Sequence, residues 1–403
     1  MIPVDITDSP NRINLVQPGL YSEGDPFAQW RWLRENDPVH HHDPTDYPGF
    51  WALTKYEDVK AVLRDAETFS SAGGILLRPS GHGADPGGGR TLALTDPPRH
   101  RELRGLVDGW FTVRSVRAFE AKVREVAASV LDLVLEQERC DFVGDIAARI
   151  PLYMSCVMMG VPESDWENLF RLSREALGGG DAMTRRLAHL QIMEYFGDLA
   201  ADKAAHPGDD LVSVLAAAEV EGARLSREDI VLNCDNLFVA GTENTRLAAA
   251  GGILAFLEHP DQWRLLVENP KLLPGAVEEV LRWTSSATHL MRTATRPVEV
   301  RGRHISAGER VVVWLPSANR DEDVFADPDR FDVTRNPNRH LSLGAGAHFC
   351  VGSTLARVEI RFLFAELLDR SIAIELDGVP TRLDSVVVNG LERLPVKLLR
   401  SNS

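Results

Sequence analysis

Apolar residues recur at three- and four-residue steps through most of the chain, a spacing that places them on one face of an α-helix. The pattern predicts helices over Pro26 to Asn36, Tyr56 to Arg64, Val113 to Glu138, Glu163 to Leu177, Met183 to Ala205 and Arg227 to Glu258. Strand-like runs are few and short. They cover Gly49 to Thr54, Val298 to Val300, Arg310 to Trp314, Ile372 to Leu376 and Val386 to Val388. We therefore expect a mainly α fold with small β-sheets.

The sequence contains no internal repeat and no low-complexity linker that would divide it. The nearest candidate for a linker is Ser71 to Arg90, whose glycine and proline content is incompatible with a helix. A domain linker and a long mobile loop both fit this composition. We favour the loop, because the segment before it is too short to form a core of its own. Residues 1 to 403 are therefore expected to form one domain.

Composition and charge narrow the possible functions. The 403 residues are 44% hydrophobic and carry a formal net charge of −15, which disfavours a nucleic-acid partner because phosphate binding needs clustered lysine and arginine. The first residues lack the basic and apolar pattern of a secretory signal. The apolar stretch from Leu247 to Leu257 is shorter than the ~20 residues that span a bilayer. We expect a cytoplasmic protein without a membrane anchor, and a monomer.

Four cysteines are scattered without the C-x-x-C spacing of a zinc site. Cys140, Cys156 and Cys234 lie in apolar, helix-like contexts, where an inert buried thiol is the usual outcome. Cys350 differs, because it lies in the glycine-rich segment His340 to Leu355, just before a helical pattern. Unpaired N–H groups at a helix N-terminus favour an anionic sulfur, so Cys350 is a candidate metal ligand.

Three motifs occur in the order found in one family. The cysteine loop contains, in sequence, Gly344, Gly346, His348, Cys350 and Gly352. Upstream, Glu279 and Arg282 are one helical turn apart in AVEEVLRW, and Arg330 follows in PDRF. Together the motifs resemble the cytochrome P450 family, in its soluble actinomycete-like class, and the resemblance covers most of the chain. It implies the cytochrome P450 fold, with a long central helix over a buried haem b and Cys350 as the axial ligand of the iron.

The resemblance also implies which residues hold the cofactor. DPPRHRELR looks like the propionate-binding segment of the family, and His100 and Arg104 are one turn apart within it, so both can reach one carboxylate. Arg292 and His348 match further propionate partners. An E-x-x-R pair alone is usually a surface ion pair. In the family it belongs to a buried structural triad, which here would consist of Glu279, Arg282 and Arg330.

The pattern from Arg227 to Glu258 predicts a helix on the order of 45 Å, long enough to cross the molecule. Ser226 and Asp229 form a capping-box start for it. Within the helix, Gly241 and Glu243 interrupt an apolar run. A mid-helix glycine and an acid between apolar residues are both explained if this turn faces a polar pocket with bound dioxygen. The resemblance places Gly241 at the cofactor.

In the family, an acid and an alcohol follow each other in this turn and relay protons to dioxygen. Glu243 has the acid position, whereas Asn244 stands where the family has the alcohol. Thr245 cannot simply replace the alcohol, because adjacent helical residues point about 100° apart. An amide donates a hydrogen bond but releases no proton at neutral pH. Glu243, Asn244 and Thr245 are the candidate catalytic residues.

The segments expected to contact substrate carry few charges, which implies a mostly apolar substrate of moderate size. By resemblance, the contacts are Leu76, Leu77, Phe238, Leu290 and Leu391. The chain has no flavin motif, so electrons from NAD(P)H are expected to arrive through ferredoxin reductase and ferredoxin. A basic patch that would suit an acidic ferredoxin is expected from Arg335, Arg339, Arg357 and Arg361.

The sequence thus favours a haem-thiolate monooxygenase or oxidase that acts on an intermediate of secondary-metabolite biosynthesis. Because Asn244 replaces the usual alcohol, the sequence does not decide between three reactions, which are hydroxylation, oxidative coupling and dehydrogenation. A catalytically silent haem-binding or ligand-sensing protein is the alternative from a different class. Turnover with reductant and ferredoxin separates the enzyme from the sensor.

Overall fold

Helices form most of the structure, a computed structural model that describes residues 13–177 and 181–400. In chain order they are α1 (Pro26–Asn36), α2 (Tyr56–Arg64), α3 (Arg99–Val107), α4 (Val113–Leu135), α5 (Arg149–Met159), α6 (Trp166–Leu177), α7 (Ala182–Ala205), α8 (Leu211–Ala217), α9 (Arg227–Glu258), α10 (Pro260–Glu268), α11 (Leu273–Thr284), α12 (Leu315–Ala318) and α13 (Ser353–Asp369). The apolar faces of α4, α5, α7, α9, α11 and α13 meet in one large buried cluster. This cluster is the helical body that the periodicity predicts.

The strands are short and form small sheets. They are β1 (Val39–His42), β2 (Phe50–Leu53), β3 (Phe69–Ser70), β4 (Arg139–Asp141), β5 (Glu219–Val220), β6 (Ala223–Arg224), β7 (His289–Ala294), β8 (Val298–Val300), β9 (Arg303–Ile305), β10 (Arg310–Trp314), β11 (Ile372–Leu376), β12 (Thr381–Arg382), β13 (Leu391–Arg393) and β14 (Pro395–Arg400). The largest sheet has the order β1-β2-β10-β7-β3, and a second has β11-β14-β4. The other pairs are β5 with β6, β8 with β9 and β12 with β13. The prediction of a mainly α fold with small sheets is confirmed.

Several predicted element boundaries match the structure. Helices α1, α2 and α9 begin and end at the predicted residues. Helix α4 ends at Leu135, short of the predicted end at Glu138, where the backbone adopts a positive φ of 57° before β4. The predicted strand at 386–388 is absent, and Val388 forms an isolated bridge with Ala287 instead.

Helix α9 runs through the helical body. Its 32 residues correspond to about 48 Å at ~1.5 Å per residue. The predicted capping box is present, and the Ser226 side chain accepts from the Asp229 N–H at 3.1 Å. The helix packs against α5, α7, α8, α10, α11 and α13, so it contacts neighbours on several sides. Because neighbours surround the helix, apolar residues can be buried on every side of it. Residues 247 to 250, which cover a full turn, are all buried.

One helical stretch of the described chain, Phe142–Met159, is long and apolar enough to cross a membrane by length and composition. It differs from the stretch at 247–257 that the sequence analysis weighed for this role. Within the structure, 61% of the stretch is buried, and its second half, α5, packs against α9. Burial of this kind is usual for a helix in a protein core.

The loop from Ser71 to Arg90 contains no helix or strand, as predicted. Its middle is attached to the core, because the Leu77 N–H donates to Nε2 of His289 at 2.9 Å. Nδ1 of the same ring lies 2.9 Å from the Val386 carbonyl. Burial lowers the pKa of His289 to about 4, so the ring stays neutral and can accept from Leu77 at neutral pH. The loop therefore consists of two shorter spans that meet at Leu77.

A buried carboxylate, Glu279 on α11, connects that helix to the segment before the cysteine loop. Arg282 donates to both of its oxygens, at 2.7 and 2.8 Å, and neither side chain is exposed. The second arginine is Arg335, whose Nε lies 3.2 Å from a Glu279 oxygen. Arg330 was predicted here, but it is exposed and gives this network only its carbonyl oxygen. The adjacent Phe331 is buried in the core, which leaves the Arg330 side chain in solvent.

Replacing Arg335 by alanine is expected to lower the free energy of unfolding by about 2 kcal/mol, since a hydrogen bond to a buried charge is lost. Arg330→Ala is the matched control and is expected to change it by less than about 0.5 kcal/mol. Urea unfolding of both variants measures the difference. Equal losses in the two variants would contradict the assignment of Arg335 to the network.

Candidate functional site

Cys350 lies between a 3-10 turn, Gly346–His348, and α13. Its backbone N–H donates to the Leu343 carbonyl at 2.9 Å and closes the loop. Burial raises the pKa of the Cys350 thiol, while a hydrogen bond from the Gly352 backbone and the charge of Arg104 lower it. The net direction is upward, so burial outweighs the two effects that favour the thiolate. A bound metal cation would favour the thiolate, as metals do for their thiol ligands.

Gly346 in the cysteine loop is required by packing. Its φ is +72°, and a Cβ at this position would lie 2.5 Å from the carbonyl oxygen of Leu63 at the end of α2. Any side chain here would have to displace backbone atoms of α2. In the sequence this glycine stands out only as part of a family motif, and the structure gives the physical reason for it.

A cavity of about 250 Å³, called here the Cys350 cavity, extends beside the cysteine loop between α5, α9, α11 and α13. Most of its lining is apolar and includes Phe111, Met158, Met159, Leu211, Leu237, Leu281, Leu290 and Leu355. Its side-chain hydroxyl, amide and carboxyl groups belong to Ser155, Asn244, Thr245, Ser286, Ser342 and Glu359. The site therefore combines one thiol, a largely apolar wall and a small set of polar groups.

Near the cysteine loop, two buried side chains and one half-buried side chain, that of His348, hold polar atoms that lack a full set of partners. The ring centroids of His100 and His348 are 4.1 Å apart, and both nitrogens of His100 and Nε2 of His348 are unpaired. Arg292 is 3% exposed, and its Nη1 donates to the Met291 carbonyl at 2.8 Å. Burial lowers the pKa of Arg292 to about 10, and burial with the Arg292 charge lowers the pKa of His348 to about 3. Carboxylates of a bound ligand would satisfy this cluster.

Arg104 contacts the cysteine loop itself. Its Nη1 donates to the Phe349 carbonyl at 2.7 Å, and its Nε pairs with Asp108. That His100 and Arg104 reach one carboxylate stays a prediction. In the structure the Arg104 side chain pairs with Asp108, which lies one turn further along the chain.

Glu243 and Asn244 are adjacent, but they line different cavities. Asn244 and Thr245 line the Cys350 cavity. Glu243 lines a separate cavity of about 270 Å³ and forms a two-point ion pair with Arg246 on the next turn. Glu243 therefore does not face the Cys350 cavity, contrary to the prediction, because a helix rotates by about 100° per residue.

The Asn244 amide is held by a neighbouring hydroxyl. Ser286 Oγ donates to Asn244 Oδ1 at 3.2 Å, which leaves the amide nitrogen as a donor. Gly241 also lines the Cys350 cavity. A Cβ at Gly241 would come within 3.0 Å of Ser155 Oγ, so the glycine also allows α5 and α9 to approach closely.

Of the five predicted substrate contacts, Leu290 lines the Cys350 cavity. Leu77 is buried in the cluster beside the large sheet, and Leu76 is half-buried outside the cavity lining. Phe238 and Leu391 are buried in the helical core. These four residues lie outside the lining of the Cys350 cavity, and their contact with substrate stays a prediction. An apolar residue in a sequence looks the same whether it faces the core or a cavity. Lining residues that the sequence analysis missed include Ser155, Met158, Met159, Ser286 and Glu359.

The predicted basic patch near the cysteine is largely neutralised by ion pairs. Three of its four arginines have acidic partners: Arg335 with Glu279, Arg357 with Glu278 and Arg361 with Glu120. Carboxylates of the protein itself therefore compensate the positive charges of these three arginines. The patch gives no support of its own for the docking of an acidic partner.

Comparisons with known proteins agree with the fold and the site. Residues 192–388 match the family model described as Cytochrome P450. The steroid C26-monooxygenase of Mycolicibacterium smegmatis is 37% identical over 95% of this chain and 95% of that protein. Cytochrome P450 NovI of Streptomyces niveus is 34% identical over 96% of each. The crystal structure of P450 OxyD, involved in the biosynthesis of vancomycin-type antibiotics, matches with a TM-score of 0.90 and 37% identity, over 96% of this chain and 100% of that one.

The chain therefore belongs to the cytochrome P450 family. Members are haem-binding oxidoreductases that use haem b and take electrons from external redox partners. The residues present fit this cofactor. Cys350 offers a sulfur ligand in a closed loop, and the unpaired nitrogens of His100 and His348, with buried Arg292, match the two carboxylates of the porphyrin.

Arg292→Gln is expected to weaken haem retention, since a charged hydrogen bond to a carboxylate contributes about 2 kcal/mol. That free energy corresponds to roughly thirtyfold faster haem loss. Transfer of haem to excess apomyoglobin measures the rate. Arg310→Gln, an exposed arginine on the adjacent strand β10, is the control and is expected to match the wild type. Equal rates for all three proteins would contradict the role of Arg292.

Proposed function

We propose that this protein is a monooxygenase or oxidase that activates dioxygen at a Cys350-ligated haem and oxidises a mostly apolar small molecule of moderate size. The observation that carries the proposal is the Cys350 cavity, in which an apolar wall and a few polar groups adjoin the one cysteine that lies in a glycine-rich loop. The proposed substrate is an intermediate of secondary-metabolite biosynthesis. The printed role of OxyD in antibiotic biosynthesis supports that class.

Different residues around the cavity would bind different parts of the cofactor. Cys350 would hold the iron through its sulfur, and His100, His348 and Arg292 would bind the propionates. When bound, the haem supplies the iron at which dioxygen is activated. Arg104 would fix the cysteine loop through the Phe349 carbonyl. The apolar wall would exclude water from the substrate.

Asn244 would bind and orient ligands in the cavity through its amide nitrogen, because Ser286 occupies its oxygen. The amide cannot release a proton at neutral pH, so proton supply must come from another group or from water. Hydroxylation and oxidative coupling or dehydrogenation are both compatible with this arrangement. The same residue favours the second candidate, a catalytically silent haem-binding or ligand-sensing protein.

The proposed electron path runs from NAD(P)H through ferredoxin reductase to ferredoxin. The use of external redox partners in the family supports it, and the chain carries no flavin motif. We further propose a cytoplasmic monomer. The burial of the stretch Phe142–Met159 within the helical body supports a location outside the membrane.

Cys350→Ala is expected to abolish the absorption band of the reduced, carbon-monoxide-treated protein that is diagnostic of thiolate ligation. Cys140→Ala removes another cysteine, on strand β4, and is expected to keep the band. Difference spectroscopy of both variants measures the outcome. A wild-type protein without the band, or a Cys350→Ala protein with it, would contradict the proposed function.

Asn244→Thr is expected to change the share of electrons lost to hydrogen peroxide by up to about tenfold, since the amide N–H donor to the cavity is replaced by a hydroxyl and a hydrogen bond contributes ~0.5–1.5 kcal/mol. Product and peroxide are measured per NAD(P)H oxidised, with ferredoxin, its reductase and a ligand found by spectral titration. Thr242→Ser, which faces the other cavity, is the control. Unchanged product and peroxide would refute a role for Asn244, and ligand binding without turnover in the wild type would favour the sensor.

A further inference from the structure

A third cavity, called here the Arg320 cavity, has a volume of about 330 Å³. Its lining comes from α1, the second half of α9, the end of α11 and the segment around β13. Apolar wall residues include Phe27, Leu254, Trp283 and Leu391. Among the described residues, this lining and that of the Cys350 cavity have no member in common. The Arg320 cavity is therefore distinct from the site at the cysteine.

The guanidinium of Arg320 lines this cavity without a full set of acceptors, although the residue is only 6% exposed. Its Nη2 donates to the Trp283 carbonyl at 3.3 Å, whereas its buried Nη1 has no hydrogen-bond partner. An oxygen of Asp329 lies 3.6 Å from Nε, beyond hydrogen-bond distance, and the same carboxylate pairs with Arg31 at 2.6 Å. A guanidinium has five N–H donors. Acceptors for Arg320 are therefore missing from the described part of the chain.

Two aromatic rings hold the Arg320 guanidinium in place. Its central carbon lies 4.0 Å from the ring centre of Phe27 on α1 and 4.6 Å from that of Trp283 on α11. Rings at these distances stack on the face of a guanidinium, so its N–H edges remain for hydrogen bonds. Such an edge carries parallel N–H groups that match the two oxygens of a carboxylate. The arrangement therefore favours a carboxylate over a spherical anion.

The charge of Arg320 is poorly compensated by its neighbours. Burial lowers the pKa of Arg320 to about 9, and the nearby charge of Arg282 acts in the same direction. The guanidinium still carries its charge at neutral pH, because that pKa lies above 7. Glu279 is occupied by Arg282 and Arg335, and Asp329 by Arg31. A buried charge without a close partner is costly, and an anion in the cavity would remove that cost.

We propose that the Arg320 cavity binds a small apolar carboxylate. The Arg320 guanidinium would donate to the carboxylate oxygens, and the apolar part of the ligand would contact Trp283 and Leu254. A volume of about 330 Å³ is at the lower end of the ~300–1,000 Å³ usual for ligand sites, so the ligand is small. This site is separate from the proposed oxidation of substrate at Cys350 and does not depend on it.

Binding is tested with phenylacetate as the probe, by ¹⁹F nuclear magnetic resonance of the haem-loaded, carbon-monoxide-treated protein labelled with fluorotryptophan. Trp283 lines the cavity, and its signal is assigned by its loss from Trp283→Phe. Phenylacetate is expected to shift this signal. 2-Phenylethanol has the same ring without the charge and is expected to bind at least about tenfold more weakly, since the hydrogen bond between two charged groups is lost. An unshifted Trp283 signal, or equal affinities for the two probes, overturns the proposal.

Absorption spectroscopy shows which cavity the probe occupies. A ligand in the Arg320 cavity is expected to leave the haem absorption band of the oxidised protein unchanged, because the lining has no residue of the cysteine loop. A ligand in the Cys350 cavity would displace water from the iron and shift the band. A band shift with the same dissociation constant as the Trp283 signal therefore overturns the proposal.

The role of charge is tested by variants of the lining. Arg320→Gln is expected to weaken phenylacetate binding by about tenfold or more. Because Arg320 is buried, two exposed lining residues test the same point without a change in the core. Arg382→Gln removes a positive charge and is expected to weaken binding by up to about fivefold, whereas Glu258→Gln removes a negative charge and is expected to strengthen it by a similar factor.

Arg310→Gln is the control for net charge, since Arg310 is exposed and lies outside this lining. It is expected to bind phenylacetate with the wild-type affinity. Opposite effects of Arg382→Gln and Glu258→Gln support the site. Effects of the same sign in these two variants, or an Arg310→Gln effect as large as that of Arg382→Gln, overturn the proposal even where Arg320→Gln does not fold.

Discussion

The carboxylate of Glu279 has no access to water, so all of its hydrogen bonds must come from the protein. Arg282 supplies two donors, and Arg335, Asn338 and the backbone of Asp332 supply the others. Removing any one of them leaves part of a buried charge uncompensated. The chain between α11 and the cysteine loop is therefore fixed at several points to a single residue. The position of Cys350 relative to α9 depends on this attachment.

The rotation of α9 separates two kinds of chemistry. Glu243 faces a cavity that also holds Arg174, Arg246 and Arg393, so its negative charge is compensated there. Asn244, one residue later, faces an apolar cavity in which an anion would be costly. Neutral groups on this side of the helix are consistent with that environment. The electrostatics of the site thus follow from the geometry of a helix turn.

The parts of the fold that depend on local pattern were predicted well. The bounds of α9 follow from its capping box and its apolar run, and Cys350 was identified from the residues on either side of it. The second arginine of the Glu279 network was assigned wrongly because Arg330 and Arg335 are close together in sequence, and the burial of Phe331 decides between them. Tertiary packing of this kind leaves no mark on a single sequence. That the chain forms one domain stays a prediction.

The sequence around Glu359 already indicates an unusual acid. It stands between apolar positions in ARVEIRFLF, as Glu243 stands in the apolar run of α9, and an acid in such a place requires a polar partner or an uncharged state. The family motif in the central helix includes Glu243 and does not include Glu359. The two acids differ in their surroundings, because Glu243 has an ion-pair partner in Arg246 and Glu359 is buried without a neighbouring charge. These surroundings are properties of the folded chain.

The neutral imidazole of His289 ties the middle of the 71–90 loop to both the large sheet and the C-terminal segment. Because the ring takes up a proton only near pH 4, this attachment is independent of the acidity of any ordinary cellular compartment. The spans on either side of Leu77 then behave as separate short connections. A change of length or sequence in one span therefore leaves the attachment of the other span at Leu77 in place.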